Sequence, residues 1–151
     1  MRSKEELVAL FRLRGMRMTP QRERVFDVLL REPGHPTAED IWRAVQVELP
    51  TVSLKTIYDI LHELVDLGEL KQLNLGTGSS RYEAADLNHR HFVCVSCGEV
   101  SNGDEEPGHT ELPETPDGLF KVTRVEVVYR GLCAACQVEK VALTENTTIT
   151  K

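Results

Sequence analysis

Two short knuckles, Cys94-x-x-Cys97 and Cys133-x-x-Cys136, hold all four cysteines of the chain. A C-x-x-C turn aims two thiolates at one point, and two such turns complete the tetrahedral shell of a zinc ion. A closed all-thiolate shell leaves no open coordination position, so a metal held there stabilises and does not catalyse. The constraint on folding is severe, because 35 residues separate the knuckles, more than a simple zinc ribbon uses. A folded segment must lie between them and return the chain to the same point. Four cysteines would also serve two disulfides in a secreted chain. The N-terminal "MRSKEELVALF" is charged and amphipathic, without the apolar stretch and cleavage site of a secretory signal. No run of eighteen apolar residues is present to span a membrane. A cytoplasmic location with no membrane partner is expected, and a reducing compartment favours metal over disulfide.

Ahead of the knuckles the sequence reads as helices. Ser3-Lys4-Glu5-Glu6 is a capping-box pattern, followed by Leu7, Leu10 and Phe11 at helical spacing. Thr19-Pro20 sets an N-cap before a proline at the first helical position, with Val25, Phe26, Leu29 and Leu30 as the apolar stripe. Thr37 opens a third helix carrying Ile41, Trp42, Val45 and Leu49, and Ser53 caps a fourth carrying Ile57, Leu61, Leu64 and Val65. Gly68 has the character of a helix-terminating C′ residue. The period then changes to two: Leu70 to Leu75 and Arg81 to Glu83 flank "GTGSS" as a predicted hairpin. Helices followed by a hairpin, with the short link "PTVS" between the third and fourth helices, is the order of a winged helix-turn-helix domain. The second half has strand composition at His89 to Val95 and Phe120 to Tyr129, separated by the loop-like "GDEEPGHTELPETPDG".

His89 and His91 stand two apart on a predicted strand, so both rings leave the same face. Cys94 leaves the other, which separates these imidazoles from the four-cysteine set. Two imidazoles joined by carboxylates and a further histidine suit Fe(II), Mn(II) or Zn(II). The net charge of −6 is unevenly placed: residues 1–24 carry seven Lys/Arg against three Glu, whereas residues 99–118 carry seven Asp/Glu and no Lys or Arg. A basic front can approach phosphate while an acidic rear stays away. On the fourth helix, Lys55, Thr56, Tyr58, Asp59 and His62 lie near the outward face, where hydroxyl, ammonium and phenol groups could meet base edges and phosphates.

The stretches "RMTPQRERVFDVL", "HPTAEDIW", "VSLKTIYDILHEL", "GSSRYEAADLNHRHFVCVSCGEV" and "VVYRGLCAAC" occur in the order seen in the ferric uptake regulator (Fur) superfamily, which the chain resembles over residues 17 to 136. The resemblance implies an α+β protein with three parts. These are a winged helix-turn-helix DNA-binding domain at 1–82, a small α/β metal-binding dimerisation domain with the four-cysteine zinc site at 83–140, and a polar tail at 141–151. It implies a homodimeric transcriptional repressor that binds inverted-repeat double-stranded DNA when loaded with a sensory metal. Candidate DNA contacts are Arg17, Gln21, Arg22, Ser53, Lys55, Thr56 and Tyr58. Asp59 stands where iron-sensing relatives often carry arginine.

By the same resemblance Cys94, Cys97, Cys133 and Cys136 hold one structural zinc per subunit. The resemblance assigns the regulatory metal, Fe(II), Mn(II) or Zn(II), to His35, Glu83, His89 and His91. A carboxylate usually follows the second knuckle cysteine by five residues; here that residue is Asn102, and Asp104 is the acidic alternative. A further site of iron and zinc sensors looks absent, because its positions hold Arg90 and Val125. The pattern "TIYDILHEL … NHRHFVCVSCG" is most similar to the peroxide-sensing branch, in which iron-bound histidines are oxidised, at positions corresponding to His35 and His89. An iron- or zinc-responsive uptake repressor is the alternative. Outside the class stand a zinc-stabilised interaction module and a metallohydrolase. No nucleophile–base pair readable in the chain supports the hydrolase, and an enzyme is not expected.

Overall fold

The computed structural model describes residues 1–31, 34–85, 90–103 and 126–138. The chain divides into two compact units, Met1–Leu87 and Asn88–Lys151. In the first, the described residues form α1 (Lys4–Leu13), α2 (Pro20–Arg31), α3 (Ala38–Gln46), α4 (Leu54–Asp66), β1 (Leu70–Leu73) and β2 (Arg81–Ala84). Each helix begins where its first orphan N–H groups find a side-chain acceptor. Ser3 and Glu6 exchange reciprocal bonds at the head of α1, and Thr37 and Asp40 do the same for α3. Thr19 Oγ1 accepts from Arg22 N at 3.3 Å to cap α2, and Ser53 Oγ accepts from Thr56 N at 3.1 Å to cap α4. The end of α4 is a Schellman turn. Gly68, at φ 73°, donates to Val65 O, and Glu69 N donates to Leu64 O, both at 2.9 Å. A side chain at Gly68 would strain that left-handed backbone.

The apolar stripes of the helices converge on one core. Leu7, Phe11, Val25, Phe26, Ile41, Val45, Ile57, Leu61 and Leu64 are all fully buried. Phe11 and Phe26 meet edge to face with centroids 5.1 Å apart. The turn joining α3 to α4 is pinned by Trp42, whose indole N–H donates to Val52 O at 3.0 Å. Leu70, Leu73 and Tyr82 of the hairpin are buried as well.

The hairpin pairs β1 and β2 antiparallel, with Leu70 opposite Ala84 and Leu73 opposite Arg81. The outer edge of β2 is not bare. Tyr82 N donates to Pro36 O at 3.0 Å, Thr37 bridges Arg81, and Arg81 Nη1 donates to His35 O at 2.8 Å. The segment before α3 is therefore tied to β2 by an isolated bridge and two hydrogen bonds. This places Glu83 inside the first unit, although the sequence reading draws the boundary at 82/83.

In the second unit the described residues form β3 (His91–Cys94), β4 (Val100–Asn102) and β5 (Val128–Gly131), with β3 in the centre. β3 pairs antiparallel with β4, His91 opposite Asn102, and parallel with β5, Cys94 opposite Gly131. A parallel pair needs a long crossover connection, which accounts for the 35 residues between the knuckles. β3 falls within the stretch expected as a strand, β5 overlaps the end of the expected 120–129 strand and runs two residues past it to Gly131, and β4 is an addition. His89 and the residues from 104 to 125, with most of the expected loop, lie outside the described residues. On the outward face Phe92 and Tyr129 stack with centroids 5.0 Å apart. Gly103 permits this, since a Cβ there would come within 2.6 Å of the Phe92 ring.

The core of the first unit makes a direct prediction. Leu61→Ala removes a fully buried side chain and is expected to cost about 2–5 kcal/mol, measured by urea unfolding followed by helical circular dichroism. A cost below about 1 kcal/mol would show that Leu61 is not a keystone of the helix core.

Candidate metal centres

The parallel register of β3 and β5 is what assembles the cysteines. Both strands run toward the same end of the sheet, and each leads into a knuckle there. The first knuckle is a tight turn: Cys94 N donates to Glu99 O at 2.9 Å, Gly98 N donates to Cys94 O at 3.0 Å, and Gly98 adopts φ 75°. Val95 N donates to Gly131 O at 2.8 Å, which ties that turn to the end of β5. The second knuckle opens a helical turn at 134–138.

The four Sγ atoms lie within 4.8 Å of one another, and those of Cys97 and Cys133 are 3.7 Å apart. Zinc–sulfur bonds of about 2.3 Å in a tetrahedron set their sulfurs roughly 3.8 Å apart. The donor set fits a structural zinc, and all four thiols are free of disulfides. Backbone N–H groups of Cys133 and Cys97 hold the Cys94 thiol down to about 6, whereas the crowded thiols push Cys133 and Cys136 up.

A different donor pair sits in the first unit. His35 Nε2 and Glu83 Oε2 are 3.2 Å apart with both side chains almost wholly buried. Glu83 is presented by β2, and His35 by the segment laid along it. Two ligand atoms at that separation span nearly a right angle about an ion roughly 2.1 Å from each. In the second unit His91 is buried at the start of β3, on the same face as the buried Val93. Asn102 is its cross-strand partner and is exposed. His89 and Asp104, also expected as ligands, lie outside the described residues.

The expected DNA contacts fall into groups with different prospects. Arg17 is exposed ahead of α2, and Gln21 is half-buried in the helix's first turn. Arg22 is turned inward: its Nε and Nη2 fork onto Glu63 at 3.0 and 2.6 Å, its Nη1 reaches Arg17 O, and its guanidinium lies over the Phe11 ring. That guanidinium is a clamp between α2 and α4. Ser53 and Thr56 hydroxyls are 2.9 Å apart and engaged in the cap. Lys55 pairs with Asp59 at 2.7 Å, an exposed bond of small net worth. Tyr58 OH donates to Glu39 Oε1 at 3.1 Å. The Lys55–Asp59 pair was visible in the sequence as an i,i+4 spacing. Glu63 and Glu39 carried no local signal, because their partners come from other helices.

A helical unit ending in a winged hairpin, and a separate β unit built on four convergent cysteines, define the class of a metal-stabilised winged-helix protein. The ferric uptake regulator family matches residues 13–129, and the chain belongs to that family. Among curated proteins it is 34% identical over 135 residues to the peroxide-responsive repressor PerR of Staphylococcus aureus, spanning 88% of this chain and 90% of the relative. Among solved structures, the ferric uptake regulator of Helicobacter pylori superposes with a TM-score of 0.71 at 23% identity, covering 88% of this chain and 90% of that one. PerR from Streptococcus pyogenes superposes with a TM-score of 0.52 at 26% identity, covering 91% and 95%. The fold is that of Fur-family proteins.

The four-cysteine geometry predicts that Cys133→Ser opens the shell. Metal analysis should then find the zinc of the purified protein lost, with a fall in thermal stability reproduced by chelation of the native chain. Zinc retained in the variant would mean that Cys133 is not a ligand.

Proposed function

We propose that the protein is a cytoplasmic, homodimeric, metal-dependent repressor of transcription that binds inverted-repeat duplex DNA and senses peroxide through bound iron. The observation that carries this is the existence of two chemically different donor sets. Four cysteines suit a permanent zinc, whereas the buried His35–Glu83 pair, 3.2 Å apart, offers nitrogen and oxygen to an exchangeable ion. His89 and His91 complete that second set, with Asn102 or Asp104 as a further oxygen donor. Imidazole and carboxylate ligands suit Fe(II), Mn(II) and Zn(II) alike. The 34% identity to a peroxide-responsive repressor supports the peroxide branch.

The DNA-reading surface is the outward side of α4, with Tyr58, Lys55 and the capped N-terminus, supported by the exposed Arg17. A helix N-terminus presents unpaired N–H groups to phosphate, and its first turns can enter the major groove. Dimerisation is assigned to the region 83–140. Ligands drawn from both units let metal affinity differ between DNA-competent and incompetent arrangements, and that difference is the coupling energy of the switch. Fe(II) held by these residues would supply the electrons for reducing peroxide, and a coordinating imidazole would be the group oxidised. His35 and His89 are the targets, and losing either as a ligand removes the metal-held arrangement.

The test is a gel shift on the protein's own promoter with Mn(II), Fe(II) or Zn(II), with and without peroxide. Binding should require metal and should be lost with Fe(II) plus peroxide but survive Mn(II) plus peroxide. Survival of the iron complex would select an iron-responsive repressor, and a response to Zn(II) alone a zinc-responsive one. Metal-independent binding, or none with any metal, would overturn the proposal. In parallel, His89→Ala should abolish metal-activated binding while keeping the structural zinc. If its zinc is lost too, the two donor sets are not independent.

A further inference from the structure

Tyr58 occupies the fifth position of α4 and hydrogen-bonds to Glu39 Oε1, in the first turn of α3, at 3.1 Å. A phenol carries one proton, and a carboxylate can only accept, so the direction of this bond is fixed. While it persists, the phenolic oxygen has nothing left to donate and offers only lone pairs. Glu39 lies in the N-terminal turn of α3. Its other oxygen, Oε2, is buried without a hydrogen-bond partner among the described residues, as is the hydroxyl of Tyr82. Burial first, and then the bond to Glu39, raise the proton affinity of Tyr58, so the phenol keeps its proton. Burial likewise raises Tyr82, with Tyr58 and Glu39 adding to it.

We infer that Glu39 is a specificity-determining positioning residue: by taking the only proton of Tyr58 it makes that tyrosine a hydrogen-bond acceptor at the base edge. In the major groove the donors are the amino groups of adenine N6 and cytosine N4, whereas guanine and thymine present acceptors at O6, N7 and O4. A tyrosine fixed as acceptor selects adenine or cytosine at the base it meets and gains nothing from guanine or from the thymine carbonyl. The inference rests on the proposed DNA-reading role of α4. It differs from that role in placing part of the sequence code on a residue of α3 that need not touch DNA.

The experiment selects duplexes with randomised positions using the full-length, Mn(II)-loaded protein. Native chain, Tyr58→Phe, Glu39→Leu and Glu39→Gln are compared, and each variant is checked by thermal melting. At one position per half-site the native protein should prefer adenine or cytosine by roughly fivefold, the size of one hydrogen bond. Glu39→Leu frees the phenol proton, so guanine and thymine should be admitted there. Tyr58→Phe should flatten the preference altogether, and Glu39→Gln, which keeps a carbonyl acceptor, should restore the native one. Where leucine upsets folding, Glu39→Ala carries the same test. If Tyr58→Phe alters the preference and the Glu39 variants do not, Glu39 has no such role and the DNA-reading proposal still stands. If Tyr58→Phe selects the native sequences at native affinity, Tyr58 does not read bases and the inference fails with that part of the proposed function. If the native protein enriches no sequence, both are overturned.

Discussion

The parallel pairing of β3 with β5 is the interaction on which the second unit depends. Its strands are only three or four residues long, too short to hold together by ladder bonds alone. Its buried side chains among the described residues are His91, Val93, Cys94 and Cys136. Two of the four are candidate zinc ligands and one is a candidate ligand of the regulatory metal. A zinc ion held by the four cysteines would add its binding free energy to the folding of this unit. The first unit has a continuous apolar core drawn from all its helices and the hairpin.

β2 is the corresponding pivot of the first unit. Strand alternation sends Tyr82 into the helix core and Glu83 to the opposite face, where it meets His35. The edge bonds from Tyr82 N to Pro36 O and from Arg81 to His35 O hold the segment preceding α3 against the strand. One four-residue strand thus belongs both to the candidate ligand pair and to the packing beneath α4. The same segment leads straight into the Thr37 cap, so the position of His35 and the start of α3, with Glu39 in its first turn, are set together.

Much of this was legible in the chain because it is local. The caps at Ser3, Thr37 and Ser53 are patterns of three or four residues, Gly68 announces a left-handed turn, and the apolar stripes of α1 to α4 follow the helical period. The four-cysteine cluster was legible too, because knuckle spacing is a chemical constraint independent of the intervening fold. β4 was not, since Val100-Ser101-Asn102 is too short to show alternation and becomes a strand only by pairing with β3. Nor were the ion pair that withdraws Arg22 and the hydrogen bond that holds Tyr58. A basic residue at the start of α2 and a tyrosine on an outward face both read as available to DNA. Glu63 and Glu39 come from elsewhere in the sequence, and only the packing of α2 and α3 against α4 brings them near.

The position of Asn102 sharpens what the regulatory site can be. It lies directly across the ladder from His91, and opposed residues of an antiparallel pair leave the sheet on the same face. An amide there offers a neutral oxygen where a carboxylate would bring a charge. If the donors are those proposed, His35, Glu83, His89 and His91 would bring one carboxylate against three imidazoles. Fewer anionic oxygens favour nitrogen-loving borderline ions over hard, oxygen-seeking Mn(II). Asp104 as the donor would restore the second carboxylate and shift the balance back. In that proposed set the oxygen from Asn102 or Asp104 is the donor that would set the balance, because the other four are common to the divalent ions considered.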